Sequence, residues 1–262
     1  MTSDGVRFTV FTKAWKMPIP ELGRFVGDLG FWGIELPVRP GYQVEPENVT
    51  NGLPEAARQL ADCGVKVHSV AGPTDEATLA ACGEAGVQVL RVMAPIGPEG
   101  YLATEARLRK EYDALLPLLE KHHVTLGVQN HCDRWVGSAI GLRRLIGNYD
   151  PQRVAAVWDV AHCALDGELP EMAADILWDR LCMVNLKNAY WRRKNDPQAP
   201  VAEWEHYWTT GRGGLASWPA VAEELKKRDY RGVVCLTAEY SDHDAVDRLI
   251  AEDIAFAKSL LA

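Results

Sequence analysis

Positive charge is scarce in this chain: 28 Lys and Arg stand against 36 Asp and Glu, a formal charge of −8 over 262 residues. Nonspecific binding to a phosphate backbone needs a clustered positive surface, so no nucleic-acid partner is expected. The short basic clusters (Arg107 with Arg109 and Lys110, Arg192-Arg193-Lys194, Lys226-Lys227-Arg228) read as solvated faces. Long apolar runs are also missing. Nothing approaches the roughly 18 consecutive apolar residues of a membrane helix, and Met1 to Arg7 is polar, without the apolar stretch of a signal peptide. The expectation is a cytoplasmic protein with no membrane partner. The six cysteines, at 63, 82, 132, 163, 182 and 235, form no CxxC pair and no dense framework, so they are expected as reduced thiols. Neither GxGxxG nor the Walker pattern occurs, which removes the usual sign of a doubly wound nucleotide-binding sheet. Low-complexity tracts and Pro- or Ser-rich linkers are lacking too.

What is present suits one large core. Hydrophobic residues make up 47% and charged residues 24%. Eight short β-rich runs are evident: Arg7-Phe11, Gly33-Leu36, Lys66-Val70, Val87-Val92, Thr125-Val128, Val154-Trp158, Met183-Leu186 and Val233-Thr237. Between them fall helical stripes: Leu22, Phe25, Val26 and Leu29; Leu53, Ala56, Ala57 and Leu60; Leu108, Tyr112, Leu115, Leu116 and Leu119; Trp218, Val221 and Leu225. Leu249, Ile250, Ile254, Ala257 and Leu260 mark a last helix. Gly30, Gly64 and Gly86 stand shortly before strands, where a left-handed helix cap suits glycine. Alternating strands and helices of this number predict a (β/α)₈ TIM barrel, α/β in class, as a single domain over residues 1–262.

Four polar motifs follow or end apolar runs: Gln129-Asn130-His131, Asp159-Val160-Ala161-His162, Asn185-Leu186-Lys187-Asn188 and Ala238-Glu239-Tyr240. Side chains at the C-terminal ends of successive strands are what a parallel barrel uses to build a catalytic mouth. Asp159 also suits a turn cap, His162 a packing role, and Lys187 a buried salt bridge to the site carboxylates. Glu35, His68 and Arg91 stand near strand ends, where they line the mouth or form structural ion pairs; Lys13 ends the first strand similarly. Of nine tryptophans, Trp15, Trp135, Trp191 and Trp208 fall in predicted loops, where a flat ring can meet the C–H face of a sugar or fill a gap. Gly211-Arg212-Gly213-Gly214 is either a close-approach loop for substrate or an ordinary flexible one.

Gly33-Ile34-Glu35-Leu36, Leu126 to His131, Val157 to His162, Val184 to Asn188, and Tyr230-Arg231-Gly232 followed by Glu239 resemble, in their order, the xylose isomerase-like TIM barrels. That superfamily includes sugar isomerases, ketose 3-epimerases, inosose dehydratases and endonuclease IV. The resemblance implies one divalent metal held by Glu, Asp, His and Glu at the ends of the fifth to eighth strands, places that fall on Gln129, Asp159, Asn185 and Glu239. Gln129 replaces a carboxylate and Asn185 an imidazole, which leaves an all-oxygen set suited to Mn²⁺ or Mg²⁺ or a metal-free site.

Gln129 cannot take a proton, so two-faced epimerisation loses one of its bases. Glu239 remains as the expected base, with His162, Lys187, His131 or Glu35 as its partner and His162 and Lys187 taken first as catalytic; Glu35, His68, Arg91, His131 and Asn188 are expected to bind substrate. The resemblance therefore implies a small-molecule sugar or keto-sugar isomerase working by proton transfer next to a carbonyl. A keto-sugar or cyclitol dehydratase or hydratase is the second reading, a non-catalytic sugar-binding barrel the third, and an endonuclease the last. The sequence leaves the oligomeric state open.

Overall fold

The computed structural model describes residues 5–261; residues 1–4 of the polar opening stretch lie outside it. Eight parallel strands close into a barrel: β1 (Arg7–Phe11), β2 (Gly33–Pro37), β3 (Lys66–Ala71), β4 (Val89–Met93), β5 (Thr125–Gln129), β6 (Val154–Asp159), β7 (Leu181–Leu186) and, after an antiparallel excursion of β8 (Asn188–Arg193) and β9 (Trp204–Thr209), β10 (Val233–Leu236). Neighbours in the chain are neighbours in the barrel, and β10 closes it on β1 with Arg7 opposite Val233 and Val10 opposite Leu236.

Period-two alternation on each strand divides two cores. Val10, Ile34, Val70, Leu90, Leu126, Trp158, Val184 and Leu236 face outward into the large core beneath the helices. Phe11, Ala71, Val157, Met183, Val233 and Cys235 form a separate apolar cluster inside the barrel. Gly127 marks how tight that interior is, since a Cβ there would lie 2.7 Å from Val89 and 2.8 Å from Val157.

The apolar stripes fall on α1 (Ile19–Asp28), α2 (Val49–Asp62), α4 (Tyr101–His122), α8 (Trp218–Lys227) and α9 (Val246–Leu261), with Leu29 one residue past α1. Leu22, Leu53, Leu60 and Leu119 are wholly buried there, each stabilising by about 1.5–3 kcal/mol relative to exposure. Gly30, Gly64 and Gly86 hold φ of 78°, 74° and 69°, the left-handed caps expected before strands. Four further helices had no visible stripe. In α3 (Glu76–Glu84) the buried face is made largely of Thr78, Leu79, Ala81 and Cys82, and α5 (Ala139–Ile146), α6 (Val160–Leu165) and α7 (Pro170–Leu177) are too short for a repeat.

The β8–β9 hairpin lies where the sequence predicts loop around Trp191 and Trp208. It stands outside the barrel, and its pairing rests on cross-strand side chains: Tyr190 opposite Tyr207, Trp191 opposite His206, and Arg192 opposite Glu205 with a 2.9 Å hydrogen bond. No helix among the described residues is long and apolar enough to cross a membrane, and all six cysteines are free.

Candidate active site

Two residues beyond the apolar plug, the inward positions become polar. Val157 gives way to Asp159 on β6, and Met183 to Asn185 on β7. On the opposite side Glu35 and Arg91 are buried as a pair: the Arg91 Nε donates to Glu35 Oε1 at 2.8 Å, and its Nη2 lies 2.7 Å from Oε2. The remaining Nη1 donates to the carbonyl oxygen of Gln129, whose amide nitrogen donates to Asp159 Oδ2 at 2.9 Å. Gln129 thus bridges a cation and an anion, and a glutamate there would set a second negative charge against Asp159. Asp159 Oδ1 accepts from the backbone N–H of Ala161 (3.1 Å) and His162 (3.3 Å), so Asp159 does cap the helix that follows it, α6.

Glu239 enters the mouth just after Ala238, a non-glycine residue held at φ 49°; such strain is tolerated where surrounding structure dictates it. Its two oxygens take the ammonium groups of Lys13 and Lys187, one each. The Lys187 ammonium also lies 3.7 Å from the Trp208 ring centroid. These side chains, with His131, His162, Asn185 and Arg39, surround a hollow of about 100 Å³. It continues on one side into a groove of about 380 Å³ past Lys13, Glu239 and Trp208. On the other it meets a groove of about 360 Å³ past Arg39, Arg91 and Met93.

Two buried polar atoms at this hollow have no hydrogen-bond partner: Asn185 Oδ1 and His162 Nε2. Groups of this kind are normally satisfied, and both residues line the hollow, so these two atoms are the buried polar groups left for a ligand to satisfy. His131 packs on His162 with ring centroids 3.9 Å apart and on Trp135 at 4.6 Å. Its Nδ1 lies 2.9 Å from the Cys132 carbonyl oxygen, which can only accept, so Nδ1 carries the hydrogen and Nε2 keeps its lone pair.

Burial sets the proton affinities. It pushes Asp159 up to about 6, against the opposing Lys187 charge and the His162 N–H. It lowers both His131 and His162 below the ordinary imidazole value, His162 far below, with the Lys187 charge adding to the fall. For Glu239 burial works upward, but Lys187 and then Lys13 outweigh it and hold the carboxyl well below the usual carboxylate range.

The four positions expected to hold Mn²⁺ or Mg²⁺ do converge, yet as a set they do not fit a hard cation. Both oxygens of Glu239 carry ammonium groups, the Gln129 carbonyl carries a guanidinium, and Asp159 is engaged by an amide and two backbone N–H groups. Only Asn185 offers a free oxygen. A divalent ion there would be added to a mouth already holding Lys13, Lys187 and Arg91.

Three other expectations change. His68 lies on β3 but is absent from the hollow; its ring packs 6.0 Å from Trp32 with neither nitrogen hydrogen-bonded, and burial lowers its pKa to about 4. Asn188 is fully occupied as a brace. Its amide donates to the carbonyls of Gly211 and Ala216 (both 2.9 Å), and its oxygen accepts from the N–H groups of Ala189 (3.0 Å) and Ala216 (2.9 Å). That brace explains the glycine cluster, where a Cβ on Gly214 would sit 2.2 Å from Asn188 Oδ1 and one on Gly211 2.3 Å from the Trp218 ring. Glu35 supports the mouth from behind by holding Arg91. Among the tryptophans, Trp208 reaches the site; Trp15 is buried with its N–H donating to Asp247 (2.7 Å). Arg39, just beyond β2, was missed; its only sequence signal is a basic residue following a strand end.

The description "Xylose isomerase-like TIM barrel" matches residues 24–260. The chain belongs to that family. No curated protein matches it in sequence. Solved structures do match in shape. 3-Keto-D-glucoside 4-epimerase YcjR from E. coli is 16% identical, covers 97% of this chain and 99% of its own, and gives a TM-score of 0.74. D-Psicose 3-epimerase from Clostridium cellulolyticum H10 is 12% identical, with 98% and 99% covered and a TM-score of 0.74. The probable 3-DHS dehydratase AsbF from Bacillus anthracis is 14% identical, with 97% and 99% covered and a TM-score of 0.72. At these identities the likeness shows the shared barrel fold alone.

Proposed function

We propose that this xylose isomerase-like barrel is a sugar isomerase or epimerase-type enzyme, moving a proton next to the carbonyl of a small sugar or keto-sugar. The observation that carries the reading is the paired ammonium groups of Lys13 and Lys187 on Glu239, facing a hollow where Asn185 Oδ1 and His162 Nε2 await partners. When a C–H beside a carbonyl loses its proton, negative charge grows on the carbonyl oxygen, and fixed cations aimed there lower the barrier. Lys187 supplies that charge from this chain's own residues, in the part of the mouth where the family resemblance implied a metal.

Glu239, the base expected from sequence, is feebly basic while both oxygens carry lysines, and its role in this reading is to fix the two cations. His131 is the better base. It is neutral at neutral pH, and its Nε2 lone pair is free because Nδ1 is spent on Cys132. Asn185 and His162 orient hydroxyl groups. Arg39, half-buried at the hollow and 5.7 Å from the Phe11 ring centroid, has no carboxylate partner among the described residues, which favours a substrate bearing a carboxylate or phosphate.

The names of two similar structures, both epimerases, support the reaction class, and the dehydratase supports a second reading. The same proton removal beside a ketone can expel a β-hydroxyl as water. Incubation with a panel of ketoses and keto-sugar acids in D₂O separates these. Conversion at constant composition with deuterium beside the carbonyl supports isomerisation; loss of the mass of water supports the lyase. Binding with neither conversion nor exchange leaves a sugar-binding barrel and defeats both enzyme readings. His131→Gln should abolish the deuterium uptake while leaving ligand-dependent thermal stabilisation in place.

A further inference from the structure

A second cluster lies at the rim, where the hairpin meets the barrel. Cys132 and Asp133 follow β5, and His206 projects from β9. The His206 Nε2 stands 3.3 Å from Cys132 Sγ and 3.4 Å from Asp133 Oδ1, and the sulfur is 3.7 Å from Asp133 Oδ2. We infer that Cys132, Asp133 and His206 form a binding site for a zinc-class divalent cation that clips the β8–β9 hairpin to the barrel mouth.

The spacing is what a tetrahedral ion requires. Bonds of about 2.3 Å to sulfur and about 2.0–2.2 Å to nitrogen and oxygen place neighbouring ligand atoms roughly 3.3–3.6 Å apart. The sulfur–nitrogen separation of 3.3 Å falls in that range, and Asp133 approaches the nitrogen with one oxygen and the sulfur with the other, so a turn of its exposed carboxylate brings a single oxygen to the ion. A fourth nitrogen lies near the same sulfur, His162 Nδ1 at 3.1 Å. One thiol proton can be donated to only one of these neighbours, whereas a cation that displaces it engages the sulfur, the imidazole and the carboxylate together. Thiolate, imidazole and carboxylate donors select zinc over the hard cations Mg²⁺ and Ca²⁺.

The ligand directions are already set by packing. The His206 ring lies between Trp191 (centroids 4.4 Å apart) and Trp208 (5.2 Å, planes 26° apart), and the Trp191 N–H is anchored on the Leu165 carbonyl at 3.1 Å. Cys132 is buried, while Asp133 remains open to solvent as an entry side. Because the hairpin pairs only with itself in sheet terms, a cation shared between its β9 strand and the loop after β5 would fix the arm that carries Trp208 against Lys187. None of the three ligand side chains is assigned above to proton transfer, and the Cys132 carbonyl that orients His131 belongs to the backbone, so Cys132→Ser and His206→Gln test the cation site without removing the proposed base.

Cobalt(II) titration of the reduced, metal-stripped full-length protein tests it. The expected result is one equivalent of Co²⁺ giving a near-ultraviolet thiolate charge-transfer band with the intense visible absorption of a tetrahedral ion, both removed by Zn²⁺. Cys132→Ser should lose the charge-transfer band, and His206→Gln should weaken binding by more than about 100-fold, beyond the loss typical of an outer-shell partner. Glu239→Gln should bind as the wild type does. Far-UV circular dichroism shows that each variant is folded, and Zn²⁺ should raise amide-exchange protection of residues 204–209 in the wild type but not in His206→Gln. Absence of a thiolate band in the wild type, or its persistence in folded Cys132→Ser, overturns the site.

Discussion

The lower and upper halves of the barrel interior are built by the same strands and hold together by opposite means. Below, Val157, Met183, Val233 and Cys235 fill the space between strands as an apolar plug. Two residues further along β6 and β7, Asp159 and Asn185 join Glu35, Arg91 and Gln129, where Glu35, Arg91, Gln129 and Asp159 are linked by hydrogen bonds and the Phe11 ring lies 4.8 Å from the Arg91 guanidinium. Volume is the constraint in the lower layer; charge pairing is the constraint in the upper. A step of one side-chain period thus separates support from chemistry, and substitutions at the two levels should respond to different properties of the new residue.

The largest effect is expected from breaking a pair in the upper layer. Arg91→Met leaves Glu35 buried and uncompensated, and should cost about 3–5 kcal/mol of stability in urea unfolding. Adding Glu35→Met should restore most of that loss, because an apolar pair needs no partner charge; a double variant as unstable as the single one would break the contrast between the layers. Next, Lys187→Met removes the cation assigned to the developing oxyanion and should slow turnover by about 10²–10³-fold, the cost of losing one such donor. Lys13 stays on Glu239 in that variant, so a collapse of stability rather than of rate would show that Lys187 is structural. The smallest effect belongs to the lower layer. Met183→Leu conserves volume and should cost under about 1.5 kcal/mol with little change in turnover.

The strands were legible because their alternating apolar residues are dictated by two buried faces, and the strand-end motifs were legible because polar residues so placed have few structural uses. What the sequence could not disclose was partnership. Asn188 follows Asn185 by three residues in the same motif, yet all its hydrogen-bonding capacity is spent on Ala189 and the loop carrying Gly211 and Ala216. Glu239 reads as a base until Lys13 and Lys187, far away in the chain, are seen on its two oxygens. Gln129 reads as an oxygen ligand for a cation until Arg91 and Asp159 are seen on either side of its amide. The hairpin escaped notice because its strands mix aromatic and charged residues on an exposed arm, which leaves no hydrophobic period to read.

In the proposed reaction, fixed cations from the chain do the work a hard metal ion would otherwise do at this mouth. Titration of Mn²⁺ into the protein, followed by the loss of the free-ion electron paramagnetic resonance signal, tests that most directly. The account predicts no stoichiometric Mn²⁺ site in the wild type and the appearance of one in Gln129→Glu/Asn185→His/Lys187→Met, where the carboxylate and imidazole return and one competing ammonium is gone. Stoichiometric Mn²⁺ binding to the wild type that disappears in Glu239→Gln would contradict it.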